Sequence, residues 1–174
     1  MVCASGSLPQ GVDSDFYCRL TETARRNGKK IIVDTSGNAL ETVISAKPFM
    51  IKPNRDELSL LMGEDMDVRD ALKALYEKGI ELPFVTLGGD GGMLFDGRGF
   101  YKFCIPKVSV KNTVGSGDST IGGIAVGLSR GMPIRDAVRL GMAAGVANTQ
   151  FDRSGMVSIE LVEEFYKEIT VEVL

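Results

Sequence analysis

The run Lys30-Ile31-Ile32-Val33-Asp34 is a short apolar stretch bracketed by charges and rich in β-branched residues, and it reads as a strand buried on both faces. Upstream, Phe16, Tyr17, Leu20 and Ala24 recur at helical spacing between Asp13 and Arg26, with Asp13 or Ser14 as the N-cap and Asn27-Gly28 as the stop. Further back, Val2-Cys3-Ala4 is another apolar run, ended by the loop Ser5-Gly6-Ser7-Leu8-Pro9. Strand, helix and strand in that order, with room for a crossover, predict a parallel pair.

The same alternation continues downstream. A short helix is expected near Asn38 to Ser45, a strand at Phe49 to Ile51, helices at Arg55 to Met62 and Val68 to Lys78, and a strand at Pro83 to Leu87. Shorter strands follow at Met93 to Phe95, Phe100 to Cys104 and Val108 to Val110, the first two joined by Asp96-Gly97-Arg98-Gly99. Helices are expected at about Asp118 to Arg130, Ile134 to Asn148 and Ser158 to Lys167, and a last strand at Thr170 to Val173. The predicted class is α/β: a three-layer, doubly wound, mostly parallel sheet. Residues 1–174 form one domain, with no repeat or linker that would divide it.

Composition narrows the function classes. The chain is 44% hydrophobic and 25% charged, an ordinary globular balance. A formal net charge of −3 provides no basic field for nucleic acid or an anionic membrane. Apolar stretches are interrupted well short of the roughly 18 residues a membrane span needs, and residues 1–4 lack a signal-peptide start, so a cytoplasmic location is expected. The chain contains no histidine, which removes Ser-His-Asp and Cys-His catalysis and imidazole metal ligands. Acid-base work falls to Asp, Glu, Lys, Tyr or Cys. Cys3, Cys18 and Cys104 read as buried, reduced thiols.

The segment that carries chemistry is Lys111-Asn112-Thr113-Val114-Gly115-Ser116-Gly117-Asp118-Ser119-Thr120, at the mouth of a predicted helix. Gly115 and Gly117 allow positive φ and close approach of a ligand, and successive backbone N–H groups in such a turn, with the positive end of the following helix, suit phosphate oxygens. Asp118 beside such an anion makes sense as a general base for an attacking hydroxyl. The segment is not a Walker A loop, because no Gly-Lys-Ser/Thr follows. The bland alternative is a Gly-rich helix start capped by Asp118 or Ser119.

Residues Asn112 to Ser119 closely resemble the C-terminal signature of the ribokinase-like, or phosphofructokinase B, family of carbohydrate kinases. Three more segments resemble that family in the expected order: Ser5 to Pro9, Ile51-Lys52-Pro53-Asn54-Arg55-Asp56-Glu57-Leu58, and Val85-Thr86-Leu87-Gly88-Gly89-Asp90-Gly91-Gly92. The resemblance implies Asp118 as catalytic base and Gly115, Ser116 and Gly117 as the anion hole. It implies ATP and Mg²⁺ as cofactors, with Asn54 and Glu57 holding the metal largely through water, as a hard, hydrated ion requires. Lys52 resembles the nucleotide-phosphate contact, and Thr86, Leu87, Gly88, Gly89, Asp90 and Gly91 the ATP-facing loop. Gly145 lies on a helix that the family packs against adenine. Each has a plainer reading: helix capping for Asn54 and Glu57, a solvated lysine, a hairpin turn, and tight helix packing at Gly145.

The Ser5 to Pro9, Asp34 to Gly37 and Glu168 to Val173 segments look most like the hexose-phosphate branch. The expected reaction is ATP-dependent phosphorylation of a ketohexose phosphate, with 1-phosphofructokinase favoured over tagatose-6-phosphate kinase. The resemblance covers the C-terminal part of a typical member, and the N-terminal sugar-binding and lid portion has no counterpart. A catalytically silent nucleotide-binding fragment is therefore an alternative. An uncovered sheet edge is expected to favour self-association, in the simplest case a homodimer.

Overall fold

A computed structural model describes residues 1–174, and the chain gathers into two compact units. The first comprises residues 1–88 and 93–100, and the second residues 89–92 and 101–174.

In the first unit, β1 (Val2–Ser5), β2 (Ile31–Asp34), β3 (Met50–Ile51) and β4 (Leu82–Thr86) are parallel neighbours in chain order, with Val2 opposite Ile31, Ile32 opposite Met50, and Met50 opposite Leu82. β5 (Gly92–Phe95) lies beside β4. The crossovers are α1 (Phe16–Arg26), α2 (Gly37–Val43) with a 3₁₀ turn at Ile44–Ala46, and the pair α3 (Arg55–Met62) and α4 (Val68–Glu77). Apolar spacing explains the packing: Tyr17 and Ala24 of α1 meet Ala4, Ile31 and Val33 in one cluster. Ala71, Leu72 and Leu75 of α4 meet Ile51, Leu58, Val85 and Phe95 in a second. Ile32 and Met50, on the opposite face from Ile31 and Val33, are also fully buried, which is why these strands lack polar alternation.

The second unit holds β6 (Phe100–Cys104), whose Tyr101 to Cys104 pair antiparallel with β7 (Thr170–Val173). Its helices are α5 (Ser116–Ser129), α6 (Ile134–Asn148) and α7 (Ile159–Glu168). α5 and α6 form an antiparallel pair whose backbones nearly touch. A Cβ on Gly141 would lie 2.5 Å from the Thr120 carbonyl oxygen, and one on Gly123 2.7 Å from the Gly141 Cα. Gly122, one residue along α5, points into open space. Gly122→Ala is therefore expected to stabilise the fold by about 0.5–1 kcal/mol through helix propensity. Gly141→Ala is expected to destabilise it by about 1–3 kcal/mol through overpacking. Urea denaturation of the two variants checks both signs.

Several expectations shift. α1 starts at Phe16 after Asp15, which makes no side-chain cap, so neither Asp13 nor Ser14 serves. Residues 108–110 form no strand: Pro106 cannot donate, Val110 is exposed, and the next amide, that of Lys111, goes to the Thr149 carbonyl oxygen at 2.9 Å. The thiols are free, but Cys3 is exposed and Cys18 and Cys104 are half-buried. Only Ala4 and Val2 of β1 pack into the cluster against α1; Cys3, between them, points the other way. No helix is long and apolar enough to cross a membrane.

Candidate active site

Parallel pairing brings two opposite charges together in the first unit. Val33 of β2 is in register with Ile51 of β3, so the following residues, Asp34 and Lys52, emerge side by side at the carboxyl ends of the strands. The Lys52 Nζ lies 3.2 Å from Asp34 Oδ2, with side chains only 7% and 16% exposed. Lys52 is thus not a solvated lysine. Its ammonium is held by a carboxylate at the strand ends, where sheets of this class bind ligands.

Two residues further on, Asn54 caps α3. Its Oδ1 accepts from the Glu57 N–H at 2.8 Å, and Glu57 Oε2 accepts from the Asn54 N–H at 2.8 Å, a complete capping box. A bridge between Asn54 and Thr86, with the Thr86 N–H donating to the Pro53 carbonyl at 3.1 Å, fixes this turn against the end of β4. Lys52, Asn54, Glu57 and Thr86 are therefore brought together. The capping reading of Asn54 and Glu57 holds in the structure. It fits a hydrated Mg²⁺ as well, because the box leaves Glu57 Oε1 outside it and a magnesium ion needs only one or two protein carboxylates. Glu57 also lines a cavity of ≈ 200 Å³ with Asn38 and Glu41. No three His, Cys, Asp or Glu side chains cluster as a closed metal cage.

Leu87 follows β4, and Gly88–Asp90 form a 3₁₀ turn rather than a simple hairpin. Gly89, Asp90 and Gly91 belong to the second unit. Gly91 has φ 89°, and a Cβ there would run into the Phe103 carbonyl oxygen.

In the second unit, Gly115 is the N-cap residue of α5 at φ 84°, the left-handed region that glycine enters without penalty. Gly117 is different: it sits inside the first helical turn, so the positive φ expected there belongs to Gly115 alone. The Ser116 N–H donates to the Thr113 carbonyl at 3.1 Å, closing the turn. The Ser116 donor expected in the anion hole is engaged within the turn. Gly117 stands second in the helix, where no intrahelical carbonyl can reach its amide. Asp118 occupies the same first turn and is exposed. The positive end of α5 and its first-turn donors favour an anion at this place.

Gly145 is buried, and a Cβ on it would strike Thr120 Oγ1 and lie 3.1 Å from the Ser116 carbonyl oxygen. The close packing of α6 on α5 expected as the plainer reading of Gly145 is present. Two residues escaped the sequence reading as site residues. Asp34 could have been suspected as a carboxylate ending an otherwise apolar strand, and Asn148 as an amide at the end of a small-residue helix.

The model of the pfkB family carbohydrate kinases matches residues 1–155. The chain belongs to that family. A Staphylococcus aureus protein provisionally assigned as a phosphofructokinase is similar over 99% of this chain and 57% of its own, at 33% identity and a TM-score of 0.91. Phosphofructokinase-2 from Escherichia coli, solved in complex with potassium, is 31% identical with a TM-score of 0.88, matching 95% of this chain and 56% of its own. A Thermotoga maritima protein provisionally assigned as a 1-phosphofructokinase, 23% identical with a TM-score of 0.84 over 99% of this chain and 57% of its own, shares the fold. The chain spans a little over half the length of each. The ribokinase-like α/β fold and the family expected from the four motifs are both present.

Proposed function

We propose that this chain carries the nucleotide-binding and catalytic portion of a ketohexose-phosphate kinase, with fructose 1-phosphate as the favoured acceptor and fructose 1,6-bisphosphate as product. The observation that carries this reading is the turn from Thr113 to Asp118, which puts a left-handed glycine, first-turn amides and a carboxylate at one helix mouth.

The acceptor hydroxyl attacks the γ-phosphorus of ATP. An O–P bond forms, the bond to the ADP oxygen breaks, and the hydroxyl proton passes to the Asp118 carboxylate. The amides of Gly115 and Gly117 stabilise charge on the transferred group. Lys52 contacts nucleotide phosphate as a point charge oriented by Asp34. Asn54 and Glu57 hold the waters of Mg²⁺, which when bound neutralises phosphate charge.

Tagatose 6-phosphate remains the alternative acceptor. Fructose 6-phosphate is a third, because phosphofructokinase-2 from Escherichia coli, 29% identical, has been solved with that sugar phosphate. A silent nucleotide-binding role is the other reading.

Calorimetry with Mg-ATP tests the common core of these readings. Binding by the chain, lost in Gly117→Val, is the expected outcome. Absence of binding by a demonstrably folded chain would remove the nucleotide site from this protein.

A further inference from the structure

Asn148, the last residue of α6, is fully buried, and its amide is spent on the start of α5. Its Nδ2 donates to the Val114 carbonyl oxygen at 3.0 Å. Its Oδ1 lies 3.5 Å from Ser119 Oγ, the outer limit of hydrogen-bond reach. The same end of α6 holds the approach to the turn, since the Lys111 N–H donates to the Thr149 carbonyl and Asn112 Nδ2 to the Asp152 carbonyl at 3.2 Å.

The bond to Val114 matters because of what shares its peptide plane. A trans peptide is planar, so the Val114 C=O and the Gly115 N–H point in opposite directions from one rigid group. Pulling the carbonyl towards α6 aims the Gly115 N–H away from it. Glycine tolerates either sign of φ, so the Val114–Gly115 peptide could otherwise flip at little cost. The freedom that lets Gly115 adopt φ 84° therefore creates the need for a lock.

We propose that Asn148 is a positioning residue that locks the Val114–Gly115 peptide and thereby directs the Gly115 N–H towards a phosphoryl oxygen. The inference rests on the reading of this turn as a phosphate site. It adds a residue on a different helix that touches neither nucleotide nor sugar in that reading.

The test uses the 174-residue chain in two arms. Without nucleotide, the ¹H–¹⁵N resonance and hydrogen exchange of Gly115 are compared between wild type and Asn148→Asp, a near-isostere that cannot donate when ionised. Ser119→Ala, which unhooks only the other end of the amide and leaves the helices packed, is the second variant. Gly115 is expected to shift and exchange faster in both, with resonances outside the turn unchanged. With ligand, calorimetry compares Mg-ATP and adenosine. Asn148→Asp is expected to weaken Mg-ATP about ten- to a hundredfold, the worth of one charge-assisted hydrogen bond, and to leave adenosine unchanged. A purely structural role would weaken both ligands alike, and that result overturns the proposal. An unmoved Gly115 resonance in both variants overturns it independently. Wild-type chain that binds neither ligand refutes the phosphate reading and the positioning role with it, while the Gly115 arm still reports whether the lock exists.

Discussion

Replacing Asp118 by Asn is expected to lower phosphoryl-transfer turnover by about 10²- to 10⁴-fold, the usual cost of losing a general base, in any preparation of this protein that turns over a ketohexose phosphate. Asn is nearly isosteric with Asp and keeps the first turn of α5 intact, so melting temperature should stay within a few degrees. Affinity for Mg-ATP should remain within a few-fold, because in the proposed mechanism the substituted group meets the acceptor hydroxyl rather than the nucleotide. The split between turnover and binding is the informative part. Steady-state kinetics alongside calorimetry would measure it. Near-normal turnover in Asp118→Asn would dismiss Asp118 as the base and leave it as an ordinary acidic residue at a helix start.

Lys52→Met is expected to destabilise the first unit by about 3–5 kcal/mol, the range seen when one partner of a buried ion pair is removed. Asp34 would remain at the strand ends with 16% of its side chain exposed and the matching cation gone. For a chain of this length that corresponds to a fall of roughly 10 °C in Tm or more. The double variant Asp34→Leu/Lys52→Met should recover most of the loss, since an apolar pair of similar volume avoids the desolvation cost of both charges. Thermal denaturation of the two singles and the double closes the cycle. If Lys52→Met alone melts within about 1 °C of wild type, the pair contributes little and Lys52 is placed for ligand binding alone.

The strands and helices were legible where one physical rule dominates. Ile31 to Val33 is apolar on both faces, Ala71, Leu72 and Leu75 repeat on one helical face, and both patterns became the expected elements. Helix starts were less legible, because Asp13 and Ser14 both have capping side chains, yet the helix begins after Asp15, which makes no side-chain cap. Residues 108–110 show a limit of a different kind: β-branched valines suggest a strand, but a strand exists only where a neighbour supplies hydrogen bonds.

Within the motifs, the fold decides how each residue's backbone and side chain are engaged. Gly115 and Gly117 look equivalent in a Gly-Ser-Gly run, yet only the residue outside the helix takes positive φ. Ser116 reads as a donor to an anion, and its amide donates to the Thr113 carbonyl within the turn. Gly145 looked open towards a ligand, although the neighbour that needs its missing side chain is Thr120, 25 positions earlier. Such long-range occupancy leaves no periodic trace. The ion pair of Asp34 with Lys52 was hidden for the same reason, since register between β2 and β3 cannot be read from either strand alone.

The reciprocal bonds between Asn54 and Glu57 also determine how a mutational survey of this protein would score. A selection that reads only growth on a sugar would flag Glu57 as intolerant, and that intolerance would merge two unrelated injuries. One is a frayed beginning of α3, and the other, under the function proposed above, a lost anchor for metal-bound water. Glu57→Gln separates them, because its amide oxygen can still accept from Asn54 while the negative charge is gone. A library scored simultaneously for abundance and for growth would put Glu57→Gln among abundant but inactive proteins and Glu57→Ala among scarce ones, so that position 57 alone calibrates how far the two readouts can be told apart.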